Sequence, residues 1–237
     1  REALKKLKIN FPIEIGMYSD MPSKSGLGSS STFTVALLKA LLTLINKKMS
    51  NYELAELSAY IEINKLKRNI GKQDHYASTF GGFNKIKYLS DGKVQVKKII
   101  LKPKNKKEII SNLHLFFTGI TRDASKILNY QNKNATKIKK QLIQIRDLVN
   151  PFEKCLSKNN KFDNIGIYLK KNWDIKKKIS NKISSNLINK QFRDALTNGA
   201  VGGKILGAGG GGFCLFYVNK KNKKKFLKSF KNFVKIE

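Results

Sequence analysis

Pro22-Ser-Lys-Ser25-Gly26-Leu27-Gly28-Ser29-Ser30-Ser31 runs directly into the apolar stretch Phe33-Thr-Val-Ala-Leu-Leu-Lys-Ala-Leu-Leu-Thr-Leu-Ile45. That junction decides how the chain is read. Gly26 and Gly28 remove the Cβ atoms that would hold a phosphate away from the backbone. The serines fall where a helix begins, so their hydroxyls and the unpaired N–H groups of the first turn are presented together. The positive end of the helix dipole adds to these donors, and the whole suits an anion. A plain N-cap accounts for one serine but not for three serines, two glycines and a proline at this spacing. The stretch is not the Gly-x-x-x-x-Gly-Lys-Ser/Thr phosphate loop, which occurs nowhere in the chain.

A second block is Gly71-Lys72-Gln-Asp74-His75-Tyr-Ala-Ser-Thr-Phe-Gly81-Gly-Phe-Asn84, and Glu62 lies twelve residues before Asp74. An acid in a glycine-bounded loop can point at a substrate hydroxyl. Phosphoryl transfer asks for little more: a phosphate cradle, a cation ligand and a group that orients or deprotonates the acceptor. The plainer reading makes Asp74 a loop cap and Glu62 a solvated helix charge, and each alone would be read that way. The upstream loop shifts both toward function.

The third block, Gly202-Gly-Lys204-Ile-Leu-Gly207-Ala-Gly209-Gly210-Gly211-Gly212-Phe213, contains the spacing Gly207-x-Gly209-x-x-Gly212. This is not a dinucleotide fingerprint, which must open a helix. Phe213-Cys-Leu-Phe-Tyr-Val is β-prone. A glycine run between two strands instead lets backbone come close to something bulky: a nucleotide, a substrate or a tightly packed neighbour.

The three blocks resemble the motifs of the kinase superfamily of galactokinase, homoserine kinase, mevalonate kinase and phosphomevalonate kinase. Within it, Ile70-Gly-Lys-Gln-Asp74-x-Tyr-Ala, Phe80-Gly-Gly-Phe-Asn84, Thr118-Gly-Ile-Thr-Arg122-Asp-Ala-Ser-Lys-Ile-Leu128 and Gly203–Phe213 resemble the D-glycero-α-D-manno-heptose 7-phosphate kinases. The resemblance implies ATP, Mg²⁺ and a phosphorylated sugar as partners, with transfer to the sugar's anomeric hydroxyl. It assigns Pro22, Ser25, Gly26, Leu27, Gly28, Ser29, Ser30 and Ser31 to the phosphates, and Gly209, Gly210 and Gly211 to the third-motif loop. Ser30 and Glu62 fall to magnesium and Asp74 to catalysis. Lys72, Arg122 and Lys204 are weaker candidates, each equally readable as a surface cation. His75 stands where this group often has Gln. The implied fold is α+β, with an N-terminal domain (1–105) like ribosomal protein S5 domain 2 and a ferredoxin-like C-terminal domain (106–237). The chain starts at Arg1 inside a helical stretch and lacks the family's first motif, so an N-terminally truncated piece is expected.

The residues between the motifs fit an α+β chain in two layers. Phe11–Tyr18 alternates like a strand. Ser50-Asn-Tyr-Glu53 is a capping box opening a helix with Leu54, Leu57 and Ile61 on one face. Gly71 and Gly81-Gly82 punctuate a loop. Strands are expected over 83–89 and 94–101, and Pro103 with its lysines marks a domain boundary. A strand at 113–118 precedes helices over 123–158, 162–179 and 184–198, the last closing at Gly199. Strands at 201–206 and 213–218 flank the glycine run. Phe226, Leu227, Phe230, Phe233 and Val234 form a terminal helix.

Composition bounds the rest. The chain has 48 Lys and Arg against 16 Asp and Glu, a net charge of +32. That charge admits a basic nucleic-acid-binding protein as a rival. No aromatic-interleaved basic stripe accompanies it, and abundant Lys, Asn and Ile match an AT-rich coding sequence, so the reading is a solvated surface and no nucleic-acid partner. The nearer rival is another sugar 1-kinase, of the L-fucokinase kind. There is no membrane-length apolar run. Two unpatterned cysteines, Cys155 and Cys214, point to a reducing, cytoplasmic setting without a thiolate metal site.

Overall fold

A computed structural model describes residues 1–19, 26–121, 124–157, 162–230 and 233–234. The chain divides into two compact units, Arg1–Ile99 and Ile100–Glu237.

The first unit is built on α1 (Glu2–Leu7), α2 (Ser29–Leu44), α3 (Asn51–Tyr60) and α4 (Gln73–Phe80), followed by the hairpin β1 (Asn84–Tyr88) and β2 (Val94–Lys98). Helix α2 buries Val35, Leu38, Leu41 and Leu42, a spacing that puts them on one face. They pack with Ala3, Leu54 and Ile61. Leu38 is fully buried, and truncating such a leucine to alanine costs about 2–5 kcal/mol. Helix α3 begins with the expected capping box: the Ser50 N–H donates to Glu53 at 2.8 Å, and the Glu53 N–H to the Ser50 hydroxyl at 3.3 Å. Its end is unusual. Ile61–Lys65 widens into a π-helical turn, a feature frequent at functional sites.

Two expectations fail in this unit. Phe11–Tyr18 makes no ladder with any described residue. Phe11, Ile15, Met17 and Tyr18 are exposed and only Ile13 packs against the core; one anchored side chain does not set a register, and no strand forms. The 71–84 loop, conversely, contains α4, ended at Gly81 by a positive φ of 58°. Asp74 therefore sits in the first turn of a helix.

The second unit begins with α5 (Pro103–Asn112), its proline in the first turn where no N–H is needed. It continues through β3 (Leu113–Phe117), α6 (Ala124–Lys133), α7 (Lys139–Asp147), α8 (Val149–Ser157), α9 (Asp163–Lys177), α10 (Asn186–Thr197), β4 (Ala200–Ile205), β5 (Phe213–Val218), α11 (Lys223–Ser229) and β6 (Phe233–Val234). The single helical stretch read at 123–158 is three helices, and Pro151 lies in the first turn of α8, where it is tolerated. The sheet order is β4-β5-β3-β6 with antiparallel neighbours. Trp173 stacks on Phe192 at 5.0 Å between ring centres, and Phe216 lies 5.0 Å from Phe192 at the heart of the core. Helix α9 lies close against β4: a Cβ on Gly202 would collide with the Gly166 backbone carbonyl, and one on Gly166 would come within 2.8 Å of Val201 Cβ. The terminal helix is shorter than expected. It stops at Ser229, and Phe233–Val234 instead pairs with β3, covering an edge that would otherwise present unpaired backbone groups.

Candidate active site

Three stretches converge at the start of α2. Gly28 holds φ +73°, the left-handed conformation that only glycine adopts freely, and leads the chain into the helix. The first α2 bond runs from the Thr32 N–H to the Gly28 carbonyl at 2.9 Å. The N–H groups of Ser29, Ser30 and Ser31 thus have no acceptor within the helix.

Glu62 comes from the π turn and is 1% exposed. Its carboxylate accepts from the Ser30 hydroxyl, which is 2.9 Å from both oxygens, and from the Thr34 hydroxyl at 2.6 Å. The helix-surface alternative for Glu62 is thereby excluded. Arg68 completes the group. Its guanidinium donates to the Ser30 hydroxyl and lies 3.5 Å from Glu62 Oε2.

Asp74 arrives from α4 on the other side of the loop. A Cβ built on Gly28 would lie 3.1 Å from the Asp74 Cγ. Burial, and then the charge of Glu62, push the Asp74 carboxyl above its ordinary value. A carboxylate raised in this way is a better proton acceptor than a solvated one. Next to it His75 is fully buried. Its Nδ1 is 2.8 Å from the Ser58 hydroxyl and its Nε2 3.4 Å from the Ser31 hydroxyl. Desolvation lowers its pKa, against the opposing pull of Glu62 and Glu56, and favours the neutral ring. The Ser31 hydroxyl therefore faces the interior, leaving only its N–H to the first turn.

Lys72 is committed elsewhere: its ammonium lies 2.8 Å from Glu56, which also accepts from the Tyr76 hydroxyl at 2.5 Å. Pro22, Ser25 and Arg122 lie outside the described residues. Gly26 and Leu27 are half-buried in the turn before Gly28. In the second unit, Gly209, Gly210, Gly211 and Gly212 all have positive φ and form the β4–β5 connection, not a helix start. What comes close to this run is its own chain. The Gly210 N–H donates to the Ile183 carbonyl at 2.6 Å, and the Gly212 N–H to the Ile120 carbonyl at 2.7 Å. Lys204 lies on β4, and burial lowers its pKa.

Sequence reasoning missed Arg68, Thr34 and Ser58. Thr34 and Ser58 look like ordinary helix residues. Arg68 is one of many basic residues, and only its place six positions after Glu62, past a widened turn, sets it apart.

The donor set at Ser30 and Glu62 is hard oxygen chemistry, and a cationic group already lies against it. Both features fit a Mg²⁺ ion, which takes one or two carboxylates together with phosphate oxygens.

Residues 1–82 match the family model of the GHMP kinases N terminal domain. The chain is 34% identical over 216 residues to the D-glycero-alpha-D-manno-heptose 7-phosphate kinase of Campylobacter jejuni, covering 90% of this chain and 63% of that protein. It is 26% identical over 226 residues to the bifunctional fucokinase/GDP-fucose pyrophosphorylase of Arabidopsis thaliana, covering 91% of this chain and 21% of the relative. The crystal structure of a D-glycero-D-manno-heptose 1-phosphate kinase from Bacteriodes thetaiotaomicron superposes with a TM-score of 0.66 at 28% identity, over 92% of this chain and 62% of the other. The chain thus spans less than two thirds of the length of these relatives. No helix among the described residues is long and apolar enough to cross a membrane. Residues 1–82 thus match the N-terminal domain of the GHMP kinases, and the chain as a whole is similar to heptose kinases.

Proposed function

We propose that the protein containing this chain is an ATP-dependent kinase that phosphorylates the anomeric hydroxyl of a heptose 7-phosphate. The observation that carries the reading is the meeting of Ser30, Glu62 and Asp74 at the first turn of α2. The choice of sugar rests on the Campylobacter jejuni relative.

The residues divide the work. The glycines at 26 and 28 let phosphate oxygens reach the N–H groups of Ser29, Ser30 and Ser31, where the helix dipole adds to the hydrogen bonds. Glu62 and Ser30 would hold Mg²⁺. When bound, the ion would neutralise charge on the transferring phosphoryl group. Thr34 fixes the Glu62 carboxylate from below, so that its oxygens are aimed before any ligand arrives. Asp74 accepts or orients the proton of the attacking hydroxyl, and its raised pKa makes it a stronger base for that step. In the second unit, Gly209, Gly210 and Gly211 are proposed as the family's third motif, on the resemblance alone.

The test is ATP consumption by the full-length protein with magnesium, against a panel of heptose and hexose phosphates and free sugars. Heptose 7-phosphate is expected to give the highest kcat/KM. A clear preference for fucose would favour the second reading, an L-fucokinase-like enzyme, to which the Arabidopsis relative lends weight. ATP turnover indifferent to every sugar would overturn the kinase reading.

A further inference from the structure

The widened turn after α3 does more than place Glu62. The Leu66 N–H donates to the Ile61 carbonyl at 2.9 Å, closing the π turn, and the Arg68 N–H donates to the carbonyl of Glu62 itself at 3.0 Å. Between them Lys67 adopts φ 52°, a left-handed conformation uncommon for a side chain of its size. This reversal brings Arg68 back over Glu62. The residue is then anchored twice, by its backbone to the Glu62 carbonyl and by its guanidinium to Ser30 and the Glu62 carboxylate.

The two partners differ in exposure: the Glu62 side chain is 1% exposed and that of Arg68 49%. A buried carboxylate without a cation is strongly unfavourable, so something positive must stand beside Glu62 in the folded protein. The guanidinium does this, but it does so on Ser30 and Glu62, the two side chains read above as magnesium ligands. Two cations cannot share one carboxylate at close range without repelling each other. The guanidinium has an open way out, because its half-exposed stem can swing toward solvent while the backbone anchor stays in place.

Resting on the reading of Ser30 and Glu62 as metal ligands, we propose that Arg68 is the resident counter-ion of the divalent-metal site. It neutralises Glu62 and holds the Ser30 hydroxyl while no metal is bound, and a metal must displace it. Metal affinity is therefore low until a second source of negative charge, the phosphates of the nucleotide, joins the site. Arg68 acts as a positioning residue and sets the order in which charge is assembled there.

The experiment measures Mn²⁺ binding to the nucleotide-free full-length protein, by the electron paramagnetic resonance signal of free Mn²⁺. Thermal melts in chelator and in Mn²⁺ run alongside. The variants are Arg68→Gln, Arg68→Lys and Glu62→Gln. Arg68→Gln is expected to bind Mn²⁺ roughly three- to tenfold more tightly than wild type, the scale of a partly exposed ion pair removed. It should melt earlier in chelator and recover more on adding Mn²⁺. Arg68→Lys keeps the charge and should stay near wild type. An Arg68→Gln protein that folds only with Mn²⁺ present would support the proposal equally. If Mn²⁺ binding needs Glu62 but is unchanged or weakened in Arg68→Gln, the counter-ion role is overturned while the metal site stands. If Arg68→Gln fails to fold with or without Mn²⁺, the residue is a structural pair and the proposal falls. Mn²⁺ binding indifferent to Glu62→Gln would remove the metal reading and the proposal with it.

Discussion

Gly28 and Asp74 lie against each other: a Cβ on Gly28 would sit 3.1 Å from both the Cβ and the Cγ of Asp74 and 3.3 Å from its Oδ2. The phosphate turn and the proposed base are thus one packed unit, and Gly28 cannot be changed without touching the acid. Gly28→Ala adds this contact to a left-handed backbone that costs a non-glycine residue about 1–2 kcal/mol. The variant is expected to bind ATP more weakly and to lose kcat together with it. Wild-type ATP affinity and rate in Gly28→Ala would show that the close approach has no functional weight.

Asp74→Asn should separate activity from stability. The carboxyl is raised by burial and by Glu62, so the folded state holds its proton more tightly than the unfolded chain does. Its contribution to stability is full below the ordinary carboxyl pKa and is lost as pH rises through the raised value. At neutral pH the charged Asp74 is therefore a cost to the fold, and asparagine removes it. The Tm of the variant at neutral pH is expected to equal or exceed that of wild type, while kcat falls by about 10²–10⁴-fold and ATP affinity holds. Steady-state kinetics beside a melt decide it. A variant with most of its kcat intact would end the catalytic assignment, and one that melts well below wild type would mark a structural cap.

The Glu62 oxygens are held by Ser30 and Thr34, which gives two distinct outcomes. Ser30→Ala and Glu62→Gln are expected to raise the magnesium concentration needed for half-maximal rate, because the first removes an oxygen ligand and the second the carboxylate's charge. Thr34→Val leaves both proposed ligands in place but strips a hydrogen bond from a buried carboxylate, and should lower stability by about 1.5–3 kcal/mol. Magnesium titrations and denaturant melts on the three variants distinguish them. An unchanged magnesium requirement in Glu62→Gln would count against the metal assignment.

His75 should make the first unit sensitive to acid. Its pKa is depressed, chiefly by desolvation, so the unfolded chain takes up a proton before the folded one does. The stability it supports is present above the ordinary histidine pKa and drains away as pH falls below it. His75→Gln keeps polar groups for Ser58 and Ser31 but does not titrate in this range. Melts from about pH 7.5 to about pH 5 are expected to show a smaller loss of Tm in His75→Gln than in wild type. Parallel curves would mean that the acid response arises elsewhere.

Legibility in the sequence followed how local each signal was. The capping box at Ser50 and Glu53 and the paired strands around Gly207–Gly212 are carried by short-range chemistry, and they appear where the residues place them. Helix α4 was hidden because eight residues between glycines, with no apolar stripe, look like a loop; tertiary packing of His75 and Tyr76, not periodicity, makes them helical. Phe11–Tyr18 shows the opposite error, since alternation supplies a period but not a partner. At the candidate site, Ser30, Glu62 and Asp74 could be named because their motifs are distinctive. Arg68 could not, because its role depends on a left-handed lysine and a widened turn that no composition signals.

The turn from Glu62 to Arg68 is constrained in its count more than in its letters. Lys65 and Leu66 are exposed, so their identities are open to drift, while Lys67 is exposed but must suit a left-handed backbone. The number of residues is not open to drift. Removing one residue would break either the π turn closed by the Leu66 N–H on the Ile61 carbonyl or the bond from the Arg68 N–H to the Glu62 carbonyl, and whatever follows would leave its place. A single-residue deletion here would leave the cores of α2 and α3 untouched and still carry the segment leading to α4 out of phase with the carboxylate. Relatives of this chain can therefore be expected to vary freely at 65 and 66, to keep at 67 a residue that tolerates a positive φ, and to show an insertion or deletion here only where the site is assembled differently.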